Sequence, residues 1–232
     1  MRHEPAPGRH RPEPGTPDNP GLLADDFWYI AHDDQNGRPR LHGSAISYGL
    51  AAALLGELAY SGHITFHRGE VHVLDTRPPD DWLQHLVLSQ LVNGQQHTAT
   101  RTWLAYFAET ANGTVTQRLR QAGKVQPVQR RKILNVVGPT ATVHVPTDIN
   151  KAAWAWMKLS TKLRDYRQLD PYDLALAGIC QSCRLDQWLL DGAPYAARAH
   201  LRTLLNNAPE SMRDLLADLD AAVGATILSH RT

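Results

Sequence analysis

The stretch LHGSAISYGLAAALLGELAYSGHITF, residues 41–66, indicates a helix that is buried on most of its sides. Its apolar residues recur at helical spacing, alanines fill most other positions, and Glu57 is the single charge between Ser44 and Ser61. Ser44 is a suitable N-cap, and Ser61-Gly62 is a suitable C-terminal stop before a strand that begins near His63. The pattern therefore predicts a central core helix against which the rest of the chain packs.

The segments around this helix predict a mainly α, single-domain helical bundle with short β-hairpins. Residues 1–20 hold six prolines and almost no apolar side chains, so we expect a disordered tail followed by one folded domain over residues 21–232. The alternation in HITFHRGEVHVLD predicts a first hairpin, and KVQPVQRRKILNVVGPTATVHVP predicts a second, with its tip at Gln129–Lys132. Helical patterns fill the remainder, and the last four begin near residues 150, 171, 194 and 209.

Composition excludes few function classes on its own. The formal net charge is +1 and the sequence pI is about 7.9, so whole-molecule charge favours neither nucleic acid nor membrane. The N-terminus has no apolar signal region and no uncharged apolar run is long enough for a membrane span, so we expect a cytoplasmic protein.

Residues that could carry chemistry are few. Cys180 and Cys183 have the spacing of half a zinc site, but two buried thiols are the simpler interpretation. His63, His67 and His72 would share the outer face of the first hairpin, where they could bind a metal or simply be solvated. No nucleophile motif or phosphate-binding glycine loop is present, so we expect no enzyme activity and no cofactor.

One stretch has a marked charge asymmetry. Between Thr110 and Thr147 there is no Asp or Glu, and the basic segment, residues 118–132, holds six cations: Arg118, Arg120, Lys124, Arg130, Arg131 and Lys132. The segment could be a solvated helix face and hairpin tip. It could instead contact an anionic partner, such as lipid headgroups, a phosphorylated ligand or an acidic protein. Nucleic acid is disfavoured because no aromatic residues are interleaved with the charges.

Several ordered segments together resemble the Golgi phosphoprotein 3 family in its bacterial form. They are LLADDFWYIAHDDQNGRPRL before the central helix, ISYGLAAALLGELAYSGHITF at 46–66, QRLRQAGKV at 117–125 and VPTDINKAAW at 145–154. The resemblance covers nearly all of residues 22–229. It implies a mainly helical domain, a projecting β-hairpin used in self-association, and non-catalytic binding of phosphatidylinositol 4-phosphate on membranes together with protein tails.

The lipid pocket that the resemblance implies transfers poorly when its residues are placed on this sequence. The pocket tryptophan falls on His42 and the arginine after the I-S-x-G-L motif falls on Ala51. Two further arginines fall on Glu109 and Asn112, although a small gap would bring Arg118 or Arg101 near instead. The expected phosphate-binding cations are therefore missing from these positions.

These observations predict a non-catalytic peripheral binding protein that contacts anionic phospholipid headgroups or a membrane surface, at the inner face of the membrane. The expected ligand-binding residues are His42, Arg118, Arg120, Lys124, Arg130, Arg131 and Lys132. A soluble adaptor that oligomerises through the 124–145 hairpin and binds an acidic protein is the alternative. Because Ile133, Leu134, Val136 and Val137 are apolar, self-association of this hairpin is expected under either interpretation.

Overall fold

A computed structural model describes residues 22–130 and 141–229 of the chain. Ten helices and two small antiparallel hairpins make up these residues, which confirms the prediction of a mainly α single domain. The helices are α1 (Leu23–Ala31), α2 (Gly43–Tyr60), α3 (Trp82–Asn93), α4 (Thr100–Ala108), α5 (Ala111–Gln121), α6 (Ile149–Arg164), α7 (Pro171–Ser182), α8 (Asp186–Leu189), α9 (Tyr195–Asn206) and α10 (Glu210–Ser229). The strands are β1 (Ile64–His67), β2 (Glu70–Val73), β3 (Val125–Arg130) and β4 (Ala141–Pro146).

Helix α2 is the centre of the fold, as its sequence predicts. Every residue from Gly49 to Leu58 is buried, and the helix packs against α1, α4, α5, α7 and α10. Small residues allow these neighbours to approach closely. The N-cap is His42 rather than Ser44, because the His42 Nδ1 accepts from the Ser44 amide and Ser44 already lies inside the first turn.

The first hairpin pairs β1 with β2 through a two-residue turn. Ile64 pairs with Val73 and His67 with Glu70, and the turn residues Arg68 and Gly69 have φ of +51° and +78°. Positive φ at both positions is typical of the tight turns that match strand twist. The hairpin packs against the start of α10, so its position in the fold is fixed by a helix from the far end of the chain.

The second hairpin spans the predicted segment, but its strands pair further toward the tip than the prediction allows. Gln129 pairs with Thr142 and Arg130 with Ala141, so these residues belong to paired strands and the predicted tip at Gln129–Lys132 is wrong. Arg131, Lys132 and the apolar residues 133–137 lie outside the described residues.

A second difference lies in the C-terminal half. The sequence predicts one helix over PYDLALAGICQSCRLDQWLL, but α7 ends at Ser182 and the short α8 begins at Asp186. Arg184 between them has a φ of +66°, a left-handed conformation that interrupts a helix. Pro171 occupies the first turn of α7 as predicted, whereas Pro194 is the N-cap of α9.

Candidate functional site

The basic segment begins in the last turn of α5 and continues through Gly123 into β3. Arg118 and Arg120 lie near the C-terminus of α5, where cations interact favourably with the helix dipole. Gly123, at a φ of +67°, reverses the chain so that Lys124 leads into the strand. The side chains of Arg118 and Arg120 leave α5 in different directions, so that Arg118 is buried and Arg120 is exposed.

Arg118 is buried, not exposed as its place in the basic segment predicts. Its side chain is 4 % exposed and makes a bidentate contact with Glu57, at 3.0 and 3.1 Å. It also donates to Asp25 at 2.9 Å and to Asp81 at 3.0 Å. These contacts join α1, α2 and α5 to the N-terminus of α3, where Asp81 is the N-cap. Arg118 therefore has a structural role, since its charge is neutralised inside the core.

The buried carboxylates around Arg118 respond to both burial and charge. Burial raises the pKa of Glu57, although the charge and hydrogen bonds of Arg118 act in the opposite direction. Burial by itself would lower the pKa of Arg118, but the charges of Glu57, Asp25 and Asp81 outweigh it and the pKa rises. Glu57 also accepts from the Ala24 amide at 2.8 Å, which caps a helix start that has no side-chain cap of its own.

Lys124 and Arg120 are both exposed, but they differ in their partners. The Lys124 Nζ lies 2.8 Å from Asp25 Oδ2, so part of its charge is already compensated. Arg120 makes no ion pair with any residue in the described ranges. It lies near His144 of β4, whose pKa is lowered by burial and by the Arg120 charge. Arg120 is therefore a cation available to an anionic partner at the base of the second hairpin.

The remaining three cations of the basic segment follow later in the sequence. Arg130 is the last residue of β3, and Arg131 and Lys132 follow it outside the described residues. On the strand itself, Gln126, Pro127 and Gln129 are exposed and uncharged. Among the described side chains, the exposed cations of the basic segment are thus Arg120 and Lys124, at the base of the hairpin.

The positions of the family pocket do not form a cationic site. His42 is exposed and contacts the Ser44 hydroxyl at 2.9 Å, and Ala51 is fully buried in α2. Glu109 and Asn112 are exposed near the junction of α4 and α5. The two arginines that a gap would bring to the pocket are both engaged elsewhere, since Arg118 is in the core and Arg101 Nε donates to Asp218 at 2.8 Å. These positions supply no group that matches a phosphate.

Two cavities also lack the cations that a phosphorylated ligand needs. One of about 110 Å³ lies between α1, α2 and α7, with Glu57, Gln84 and Tyr172 among its lining residues. The other, of about 370 Å³, lies beside Trp103, Tyr106 and His97. Neither is lined by lysine or arginine. Cys180 and Cys183 are buried, and burial raises the pKa of both thiols, as expected of inert core cysteines.

Sequence reasoning found the cations but missed the carboxylates that neutralise them. Asp25 and Asp81 lie 93 and 37 residues from Arg118, and neither belongs to a pattern that indicates burial. The one available signal was Glu57, a lone charge in an otherwise apolar helix, because such a residue requires a buried cation as partner.

No helix within the described parts of the chain combines the length and apolarity that crossing a membrane requires. No curated protein is significantly similar to the chain in sequence. The model of the Golgi phosphoprotein 3 family (GPP34) matches residues 23–219, from the first residue of α1 into α10. With this match over most of its length, and with the buried central helix and hairpins described above, the chain belongs to the Golgi phosphoprotein 3 family.

Proposed function

We propose that this family member is a non-catalytic peripheral protein that binds anionic phospholipid headgroups at a membrane surface through its basic segment. The observation that carries the proposal is the exposed, unpaired Arg120 at the base of a hairpin in a stretch without Asp or Glu. The proposal adds Lys124 and, from the sequence, the three cations Arg130, Arg131 and Lys132. Arg118 is not part of it because it is buried, and His42 is peripheral to it.

Long-range electrostatic attraction would provide most of the binding energy. Each lysine or arginine close to an anionic membrane contributes about 1 kcal/mol, so four or five cations give measurable binding. Lys124 contributes less than a full charge, since Asp25 already compensates part of it. Exposed charges are screened over roughly 8 Å at physiological ionic strength, so the binding must weaken as salt is added.

An oligomeric protein adaptor is a second candidate, and one observation favours it. Within the described residues, the second hairpin pairs only β3 with β4, so each of these strands has one edge without a strand partner. Such edges can pair with another chain. Under this alternative, the hairpin joins copies of the chain and the basic segment contacts an acidic protein. Deleting residues 131–140 would then reduce the mass measured by sedimentation equilibrium. Under this alternative, the unmodified protein would not float with liposomes.

Charge reversal at the basic segment tests the lipid proposal. Changing Arg130, Arg131 and Lys132 together to glutamate should abolish flotation with anionic liposomes, and Arg120→Glu alone should weaken it. The matched control reverses Arg198, Arg202 and Arg213 on α9 and α10, which gives the same change in net charge and should leave flotation intact.

The same assay separates the basic segment from the family pocket. His42→Ala should float almost as well as the unmodified protein. If the triple reversal still floats and His42→Ala does not, the pocket is the binding site and the proposal is wrong. Equal losses in the triple reversal and in its charge-matched control would show that only net charge matters, which also contradicts it.

A further inference from the structure

The turn of the first hairpin lies against the start of α10 and brings together three groups that can bind a metal ion. They are the His67 imidazole and the carboxylates of Glu210 and Asp214, whose ligand atoms all lie within 4.8 Å of one another. Glu210 and Asp214 are four residues apart, so they share one face of α10. The sequence groups His67 with His63 and His72, but the structure places it instead with two carboxylates from the far end of the chain.

The distance between His67 and Glu210 suits an ion better than it suits direct contact. Nδ1 and Oε1 are 3.6 Å apart, which is longer than a normal hydrogen bond. Ligand bonds of 2.0–2.2 Å in tetrahedral geometry place neighbouring ligand atoms about 3.4 Å apart. The observed distance between Nδ1 and Oε1 is therefore close to the distance between two ligand atoms of one tetrahedral metal ion.

The backbone on both sides of His67 is held in place by α10. The Phe66 amide donates to the Ser211 hydroxyl at 2.9 Å, and the Arg68 amide donates to Asp214 Oδ2 at 2.6 Å. Thr65 adds a hydroxyl contact to Ser211 at 3.1 Å. These hydrogen bonds hold the backbone before and after His67, so the His67 ring lies beside α10 on an ordered segment. Preorganised ligands of this kind are what a metal site needs.

Neither Glu210 nor Asp214 is paired with a lysine or arginine among the described residues. Within residues 22–130 and 141–229, the Glu210 carboxylate has His67 as its only ion-pair partner, and the Asp214 carboxylate has no basic side chain. Asp218, one turn further along, is buried under the hairpin turn and pairs through Oδ1 with Arg101, at 2.8 Å. Its Oδ2 lies 3.6 Å from where a Gly69 Cβ would be and has no hydrogen-bond partner among the described residues. A cation would relieve this local excess.

We propose that His67, Glu210 and Asp214 form a binding site for a divalent transition-metal ion of the zinc class. One imidazole nitrogen and two carboxylate oxygens suit zinc, nickel or cobalt, and solvent would complete the coordination shell because His67 and Glu210 are exposed. A bound ion would join the end of β1 to the first two turns of α10. The site is separate from the basic segment and does not depend on lipid binding.

The test is equilibrium dialysis of the full chain against Zn²⁺, with a matched histidine control. His72 lies on the same hairpin and its Nε2 is 3.8 Å from Glu70, but among the residues that the structure describes no second carboxylate completes a cluster there. At Zn²⁺ concentrations that just saturate the unmodified protein, His67→Ala and Glu210→Gln should each bind less of this ion, because its affinity should fall at least tenfold in both variants. His72→Ala should retain it. Both His67 and Glu210 are exposed, so neither change is expected to unfold the protein, and circular dichroism verifies this.

Any of three results would overturn the proposal. The first is no Zn²⁺ bound by the unmodified protein at 100-fold molar excess. The second is binding that is identical in the unmodified protein and His67→Ala. The third is an equal loss in His67→Ala and His72→Ala, which would indicate non-specific binding to surface histidines.

Discussion

The Arg118 guanidinium joins three carboxylates from three separate parts of the chain. Taking several charges out of water is expensive, and the arrangement is tolerated because each nitrogen of Arg118 has a carboxylate partner. A neutral side chain at this position would leave Glu57 and Asp25 buried without their main cation. Stability should therefore depend far more on Arg118 than on its exposed neighbour Arg120.

We expect Arg118→Met to lower the free energy of unfolding by roughly 3–5 kcal/mol, the usual effect of removing one partner of a buried ion pair. Methionine keeps helix propensity and most of the side-chain length. Arg120→Met, two residues along the same helix, should change it by less than about 0.5 kcal/mol. Urea unfolding of the two variants measures the difference. Similar midpoints would mean that the buried charges do not hold the four elements together.

Asp26 should give the protein a measurable pH dependence. It accepts from the Tyr172 hydroxyl at 2.8 Å, and its pKa is raised from 3.8 to about 6, mainly by burial. Between these values the folded protein binds more protons than the unfolded chain, so this group makes the protein more stable as pH falls from 7 to 4.

Asp26→Asn removes the group that titrates, but it keeps an oxygen that can accept the hydrogen bond from the Tyr172 hydroxyl. When the pH is lowered from 7 to 4, the unmodified protein should therefore gain about 2 kcal/mol of unfolding free energy relative to the variant. Urea midpoints of both proteins at the two pH values give the comparison. A difference that does not change with pH would show that Asp26 is ionised throughout this range.

At the scale of elements, close packing around α2 depends on small residues. A Cβ at Gly49 would lie 2.3 and 2.5 Å from ring atoms of Phe27 and 2.8 Å from the Cys183 sulfur, so α1 and the end of α7 leave no space there. Gly113, in the first turn of α5, is exposed and has nothing within 4 Å of its Cβ position. The two glycines thus offer a matched pair with opposite expectations.

Gly49→Ala should destabilise the protein by about 1–3 kcal/mol, because the gain in helix propensity is smaller than the cost of overpacking. Gly113→Ala should instead stabilise it by up to about 1 kcal/mol, since only the propensity term acts. Thermal unfolding of both variants should give melting temperatures on either side of the unmodified protein. An unchanged or raised value for Gly49→Ala would be inconsistent with the described contact between α1 and α2.

Predictability from sequence followed the strength of local patterns. The buried α2 and the first hairpin are specified by periodicity and by the Arg68-Gly69 turn, and both were predicted within a few residues. The break at Arg184 was missed because QSCRLDQWLL contains no glycine or proline to signal it. The pairing of Gln129 and Arg130 was missed because the strands of the second hairpin lack alternation there.

At the scale of the whole molecule, the fold could be predicted but the roles of its charges could not. The chain holds 24 lysines and arginines and 23 aspartates and glutamates, so almost every cation could have a carboxylate partner. The sequence does not show which carboxylate approaches which cation. This is why Arg118 was assigned to the surface. It is also why the pairing of His67 with α10 was not foreseen.

The central claim is that exposed cations of the basic segment hold the protein on an anionic membrane. Flotation of the unmodified protein with two sets of liposomes, neutral phosphatidylcholine alone and phosphatidylcholine with an anionic phospholipid, tests it most directly when each is measured at 50 and 500 mM salt. We predict flotation only with the anionic liposomes at low salt, and its loss at high salt because exposed charges are then screened. Flotation that persists at high salt, or that occurs equally with neutral liposomes, would contradict the account.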